Sequence, residues 1–237
     1  MLYVILSYIF SPLIFLLISL KKNSSIKNIL VIQTAKIGDL ICSTPLFREI
    51  KTRYPDALLE VMINPITKDL LEHNPHVDKI IPINKDDYNG LSGKLRLANL
   101  IRKENVDVSI FLNPNVPFLI ASFWGLVPVR LTIFPNFSTP TFKFASFFVS
   151  NFERHLAGRQ VLETSLKLLE KIDIKNPGNS KEVYKSHKSD EIARKIIGDI
   201  NKPLVGIAIT SGKKLKEMGP FKVAEIVNQI LSKMDIV

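Results

Sequence analysis

From Ile29 onward, short apolar runs alternate with helix-length amphipathic segments. Residues 29–32 read as a buried strand and 39–54 as the helix that follows. Residues 58–63, 79–83, 106–112 and 129–134 read as four more strands, with helices expected over 66–72, 91–104 and 118–126 between them. Such alternation builds right-handed βαβ units on a parallel sheet, so the chain is predicted to be α/β. The apolar stretch around 116–129 is long, but Asn113, Pro114, Asn115, Pro117 and Pro128 mark it as strand, loop and helix rather than a membrane span. Residues 135–152 fit no clean period and are expected to be a long loop carrying a short helix. A helix over 158–172 closes this first domain, placed at 27–175.

Residues 176–189, opening with Asn176-Pro177-Gly178-Asn179-Ser180, read as a linker. A second unit is expected over 190–237, with a helix at 190–200, a strand at 204–209 and a helix at 221–234. The sequence closes where a further strand is due, which predicts that it stops inside this second domain.

Residues 1–22 form a separate feature. No charge occurs before Lys21, and an uncharged helix of that length spans about 30 Å, the thickness of a bilayer's hydrocarbon. The lysines follow the apolar run instead of preceding it, and no small-residue cleavage site follows, so the segment is not a secretory signal. The positive-inside rule then leaves the bulk of the chain in the cytoplasm. Pro12, Ser7 and Ser11 weaken a spanning helix, which leaves a segment lying in the membrane interface as one alternative and a buried core helix as another.

Charge narrows the partners. Thirty-two Lys and Arg against 22 Asp and Glu give a net charge of +10, which calls for an anionic partner. Interleaved aromatics and a recognition helix are missing, so no nucleic acid is expected. The single cysteine, Cys42, forms no internal disulfide, and with four histidines it makes no zinc-ligand spacing.

Two strand-to-helix loops carry residues suited to chemistry, since ligands of open α/β sheets bind where strands end. The first is Gln33-Thr34-Ala35-Lys36-Ile37-Gly38-Asp39. Gly38 permits a tight turn or a close approach to a ligand. Asp39 stands where a helix begins, and from spacing alone it reads first as an N-cap accepting backbone N–H bonds and only second as a reactive acid. The second is Thr210-Ser211-Gly212-Lys213-Lys214-Leu215-Lys216, whose hydroxyls, glycine and lysines suit a phosphate cradle or, on composition, a solvated basic turn. Neither loop matches the P-loop or the dinucleotide fingerprint.

Residues 29–78 resemble the opening of glycosyltransferase family 9, the ADP-heptose:lipopolysaccharide heptosyltransferases. The shared parts are a strand, the Lys36-x-Gly38-Asp39 turn with Thr44-Pro45, a helix ending at Tyr54-Pro55-Asp56, and Asn74-Pro75-His76-Val77-Asp78. Residues 106–112 and Val127-Pro128-Val129-Arg130 are similar to later segments, and 203–226 to the start of the family's second domain, with Lys216 on the family lysine. Met218-Gly219 stands where the family has Trp-Pro, and a later Asp-Ser-Gly-x-x-His segment has no counterpart.

The resemblance implies a GT-B-like fold: a complete N-terminal Rossmann-like domain for a lipid-linked acceptor and the beginning of a second Rossmann-like domain for a nucleotide sugar. It implies that Asp39 is the general base, with Lys36, Gly38, Thr44 and Asn113 at the acceptor and Thr210, Ser211, Gly212 and Lys216 at the nucleotide sugar. It implies inverting transfer of a heptose or related sugar from a donor such as ADP-heptose to lipopolysaccharide core or a related surface glycan, with no metal and no cofactor. The expected partners are the nucleotide sugar, an anionic lipid-linked glycan and the cytoplasmic surface of a bacterial inner membrane. The alternative is a non-catalytic remnant, a membrane-associated acceptor-domain fragment.

Overall fold

The computed structural model describes residues 2–21, 25–136, 138–198, 203–211 and 214–234. These fall into two compact units, the first ending at Tyr184 and the second starting at Lys185.

The first unit is built on one sheet. Its strands are β1 (Asn28–Gln33), β2 (Leu58–Ile63), β3 (Lys79–Pro82), β4 (Val108–Phe111), β5 (Val129–Phe134) and β6 (Asn151–Arg154). They lie in the order β3-β2-β1-β4-β5-β6, and every pairing is parallel. Alternate residues of the buried strands feed two cores. Ile29, Val31, Val61, Ile63, Val108 and Ile110 point to one, and Leu30, Ile32, Met62 and Phe111 to the other. The first is covered by α2 (Ile37–Ile41), α3 (Thr44–Arg53) and α7 (Val161–Leu168); the second by α4 (Gly90–Lys103), α5 (Val116–Trp124) and α6 (Pro140–Ala145).

Several expected elements are altered by local chemistry. The helix expected over 39–54 is two helices, because Pro45 sits at the start of α3 and has no N–H to offer the Ile41 carbonyl. Residues 66–72 make a tighter 3-10 turn, Pro65–Leu70, opened by the Asn64 side chain accepting from the Ile66 N–H at 3.2 Å. Residues 135–152 hold α6 and lead into β6, an edge strand that is mostly exposed. The helix expected over 158–172 starts later, at Val161, and tightens into a 3-10 turn at Leu169–Ile172. Gly93 is demanded by packing, since a Cβ there would lie 2.5 Å from the Tyr88 carbonyl carbon.

Residues 176–184, expected within a linker, lie against the first unit. The Glu182 N–H donates to Thr44 Oγ1 at 2.9 Å and the Tyr184 hydroxyl to Glu182 Oε2 at 2.8 Å. Arg48 pairs with Glu182 and donates to the Ser180 carbonyl at 3.1 Å.

Helix α1 (Leu2–Lys21) is long and apolar enough to cross a membrane. It lies along the second core's outer surface, with Val4, Ser7 and Ile18 buried and Tyr3 and Ile14 packed beside them. The Phe15 ring centroid is 5.0 Å from that of Phe123, and the Tyr8 hydroxyl donates to the Phe144 carbonyl at 2.8 Å.

The second unit contains α8 (His187–Ile197) and α9 (Pro220–Leu231). Residues 203–210, expected to hold a strand, form none: no neighbouring strand supplies a ladder for their N–H and C=O groups among the described residues of this unit.

Candidate active site

In a parallel sheet the connections from adjacent strands diverge wherever the strand order reverses, and a crevice opens there. Here the reversal lies at β1: the chain proceeds outward through β2 and β3, then returns to add β4 on the other side. The loop after β1 and the loop after β4 part at that point, and between them lies a cleft of about 470 Å³.

Asp39 lines this cleft together with Asn113, from the loop after β4. The carboxylate is exposed, and its Oδ2 accepts from the Lys36 N–H at 3.2 Å. Asp39 is thus not the cap residue itself, which is Lys36: one turn inside α2, its carboxylate reaches back to the Lys36 N–H while its side chain borders the cleft. Behind it stands a small polar brace. Gln33, the last residue of β1, donates through Nε2 to Ser43 Oγ at 2.9 Å, and Ser43 Oγ donates to the Asp39 carbonyl at 2.8 Å. Gln33 also accepts from the Ala35 N–H at 3.4 Å. Gln33 and Ser43 are both buried, so the loop is tied at its start, its middle and the turn that ends α2.

The other expected residues of this loop are placed differently. Lys36 caps α2 through its backbone, and its exposed side chain is not among the cleft's lining. Gly38 lies inside α2 at an ordinary negative φ, and a Cβ built on it meets no atom within 4 Å. A tight turn is thus not what the glycine provides; free space at the loop surface is. Thr44 does not join the cleft. It is buried, donating to the Ile41 carbonyl at 2.9 Å while accepting from Glu182, so its hydroxyl is spent holding the 176–184 segment.

The cleft also holds side chains that sequence reasoning missed: Gln160, Ser165 and Lys181. Gln160 and Ser165 come from the start of α7, and Lys181 from the segment docked by Thr44 and Arg48. Lys181 gives the lining shared with Asp39 a cation. Gln33 had one visible signal, a polar residue ending a strand otherwise made of Ile, Leu and Val. Nothing in the linker-like composition around Lys181 announced it.

In the second unit, Thr210 and Ser211 end a stretch without regular structure, Lys216 stands in the 3-10 turn Lys214–Lys216, and Gly212 falls outside the described residues. The Ser211 N–H donates to Glu217 Oε1 at 3.1 Å, so a carboxylate of this chain occupies a donor expected to serve phosphate. Among the described residues no three His, Cys, Asp or Glu side chains converge on a point where a metal ion would sit.

No protein-family model matches the chain. The lipopolysaccharide heptosyltransferase 2 of Salmonella typhimurium is 30% identical over 104 residues, which is 43% of this chain and 30% of that protein. Lipopolysaccharide heptosyltransferase 3 of Escherichia coli is 25% identical over 99 residues, 40% of this chain and 28% of that one. Among solved structures, the family 9 glycosyltransferase of Veillonella parvula superposes with a TM-score of 0.66 at 20% identity, over 88% of this chain and 67% of that one. The Escherichia coli ADP-heptose heptosyltransferase II gives 0.67 at 18%, over 88% and 63%.

The chain resembles glycosyltransferase family 9. Its fold is the GT-B-like α/β architecture, and its N-terminus is an apolar helix. The matched stretch spans about three tenths of the length of the heptosyltransferases it aligns with.

Proposed function

We propose that this chain works as a glycosyltransferase of the heptosyltransferase type, with the cleft of the first unit receiving the acceptor. The observation that carries the reading is the Asp39 carboxylate, braced from behind and exposed in a cleft at the sheet's reversal point. Asp39 takes the proton from an acceptor hydroxyl as that oxygen bonds to the anomeric carbon of a nucleotide sugar such as ADP-heptose. The bond to the nucleoside diphosphate breaks on the opposite face, and the diphosphate leaves with the electron pair, inverting the centre. A diphosphate is a weak base, so its departure needs charge stabilisation more than a proton. In this reading Thr210, Ser211, Gly212 and Lys216 supply that stabilisation and no metal is used.

Lys181 and Asn113 orient the acceptor, the cation suiting a phosphate or carboxylate on lipopolysaccharide core or a related glycan. Such an acceptor is held at the cytoplasmic face of an inner membrane, where a basic protein with an apolar helix is drawn by charge and buried area together. A second reading, an acceptor-binding chain without transfer, is favoured by one observation: the Ser211 N–H is already engaged by Glu217.

Asp39→Asn separates the two. Asn keeps an acceptor for the Lys36 N–H, so the melting temperature stays unchanged, while transfer of labelled heptose to a lipid acceptor falls about 10²- to 10⁴-fold. A variant with full turnover refutes the base assignment. An unmodified chain that binds acceptor but never transfers establishes the second reading.

A further inference from the structure

Helix α1 lacks the polar face of a helix on a water-soluble surface. Such helices turn a polar face outward and an apolar stripe inward. Here the inward stripe carries Val4, Ser7, Ile14 and Ile18, and the outward positions are apolar as well: Leu2, Ile5, Ile9, Leu13, Leu16 and Leu20. Ile9 is 65% exposed and Leu20 76%. The apolar surface continues beyond the helix onto Phe144 and Phe147, each more than half exposed, with the Phe147 ring stacked 5.2 Å from Tyr8. An apolar face of this extent is covered by something.

We propose that α1 together with Phe144 and Phe147 is a single lipid-inserting face, lying in the plane of one leaflet of an anionic membrane instead of crossing it. Three observations choose this occupant. First, α1 is fastened to the domain at two points: the Tyr8 hydroxyl donates to the Phe144 carbonyl, and Lys21 Nζ, at the C-terminal end, reaches the Val106 carbonyl at 3.4 Å. A helix held flat at positions 13 residues apart, about 20 Å along its axis, cannot also span the bilayer without stripping those contacts. Secondly, cations frame the face. The hollow beside Leu17 and Leu20 is edged by Lys21 and Arg102, and a second, beyond α6, by Lys143 and Arg154. Among the described residues no acidic side chain lines either hollow. Anionic headgroups around an inserted helix meet those cations. Thirdly, a second copy pressed on the same face would oppose cation to cation. The inference stands apart from the transferase reading, since a chain without transfer would still dock.

The test uses the full chain with vesicles of phosphatidylcholine alone or mixed with phosphatidylglycerol. Flotation with the mixed vesicles is expected, and paired Ile9→Asp and Leu16→Asp substitutions lower it more than about tenfold. These side chains face away from the domain, so the circular dichroism spectrum stays that of the unmodified chain. Arg102→Ala and Lys143→Ala each weaken binding to mixed vesicles roughly fivefold and leave binding to neutral ones unchanged. Depth is read from brominated lipids with a single tryptophan placed at Leu2, Phe10 or Leu20 in a Trp124→Phe chain. An in-plane helix gives similar, shallow quenching at all three sites. Deep quenching confined to Phe10 means a spanning helix and overturns the proposal. Self-association that the Asp substitutions abolish, with no binding to either vesicle, assigns the face to a second copy and also overturns it.

Discussion

Lys79→Met offers a sharp test of how charge is stored in the first unit. Lys79 lies at the start of β3, with its Nζ 2.9 Å from Oε1 of Glu60 and in contact with Glu104. Glu60 is wholly buried in β2. Burial raises the pKa of its carboxyl, and Lys79 opposes that rise; the bond to Lys79 lowers the pKa of Glu104. Removing one partner of a buried pair costs about 3–5 kcal/mol, because the other charge is left uncompensated. The Lys79 side chain is 42% exposed, so solvent shares the screening and the expected loss is nearer 2–3 kcal/mol at pH 7.5. The pH dependence has a definite sign. A carboxyl whose folded pKa is raised stabilises at low pH and loses that contribution as pH rises through the folded value; without Lys79 the rise is larger, so neutral pH suffers most. Glu104, with its lowered pKa, stabilises above the ordinary carboxylate range and stops doing so in acid. Both effects make the Lys79→Met deficit shrink on acidification, to under about 1 kcal/mol near pH 4. Trp124, the chain's single tryptophan, belongs to the first unit and reports its unfolding by denaturant in mild detergent. Adding Glu60→Gln should recover most of the loss, since a buried amide needs no counter-charge. A deficit that is the same at pH 4 and pH 7.5, or a double variant no better than the single, would refute the electrostatic account.

Gln33→Leu removes the donor to Ser43 Oγ and leaves the Ala35 N–H without its acceptor, and should cost about 1–3 kcal/mol by Trp124 fluorescence; in an active chain it lowers kcat more than it changes KM. Gly38→Ala sits in a helix with open space around it, so stability rises by about 0.5–1 kcal/mol, whereas acceptor affinity falls if the acceptor packs on that surface; unchanged affinity argues against close approach there. Arg48→Met removes the pair with Glu182 and the bond to Ser180, which frees residues 176–184; trypsin should cut after Lys175 and Lys181 roughly tenfold faster, read by mass spectrometry.

The sheet was legible because its central strands are covered on both faces and therefore written in largely apolar residues, an unbroken run in 29–32 and one interrupted by Arg130 and Thr132 in 129–134. β6 was not, because an edge strand with Asn151, Glu153 and Arg154 turned to solvent carries no such run. Residues 204–209 show the reverse: an apolar run with strand character that finds no partner to ladder with among the described residues of its unit. Asp39 was legible as a residue of interest from its place after β1, but spacing favoured a cap over a reactive acid, and the structure shows one carboxylate bordering the cleft while reaching back to the Lys36 N–H. Thr44 followed a motif yet faces inward. Lys181 was invisible, since the cleft acquires it only after Arg48 and Thr44 have pinned a polar, proline- and glycine-bearing segment whose own composition says nothing of where it docks.

That pinned segment has a mechanical consequence. The Glu182 amide is anchored on the hydroxyl of Thr44, and Thr44 adjoins Ser43, which grips the backbone of Asp39. Tension applied to the polypeptide downstream of Tyr184 is therefore delivered, through two side-chain oxygens, to the loop bearing Asp39. A pull on the chain beyond residue 184 is thereby felt at the mouth of the first unit's cleft.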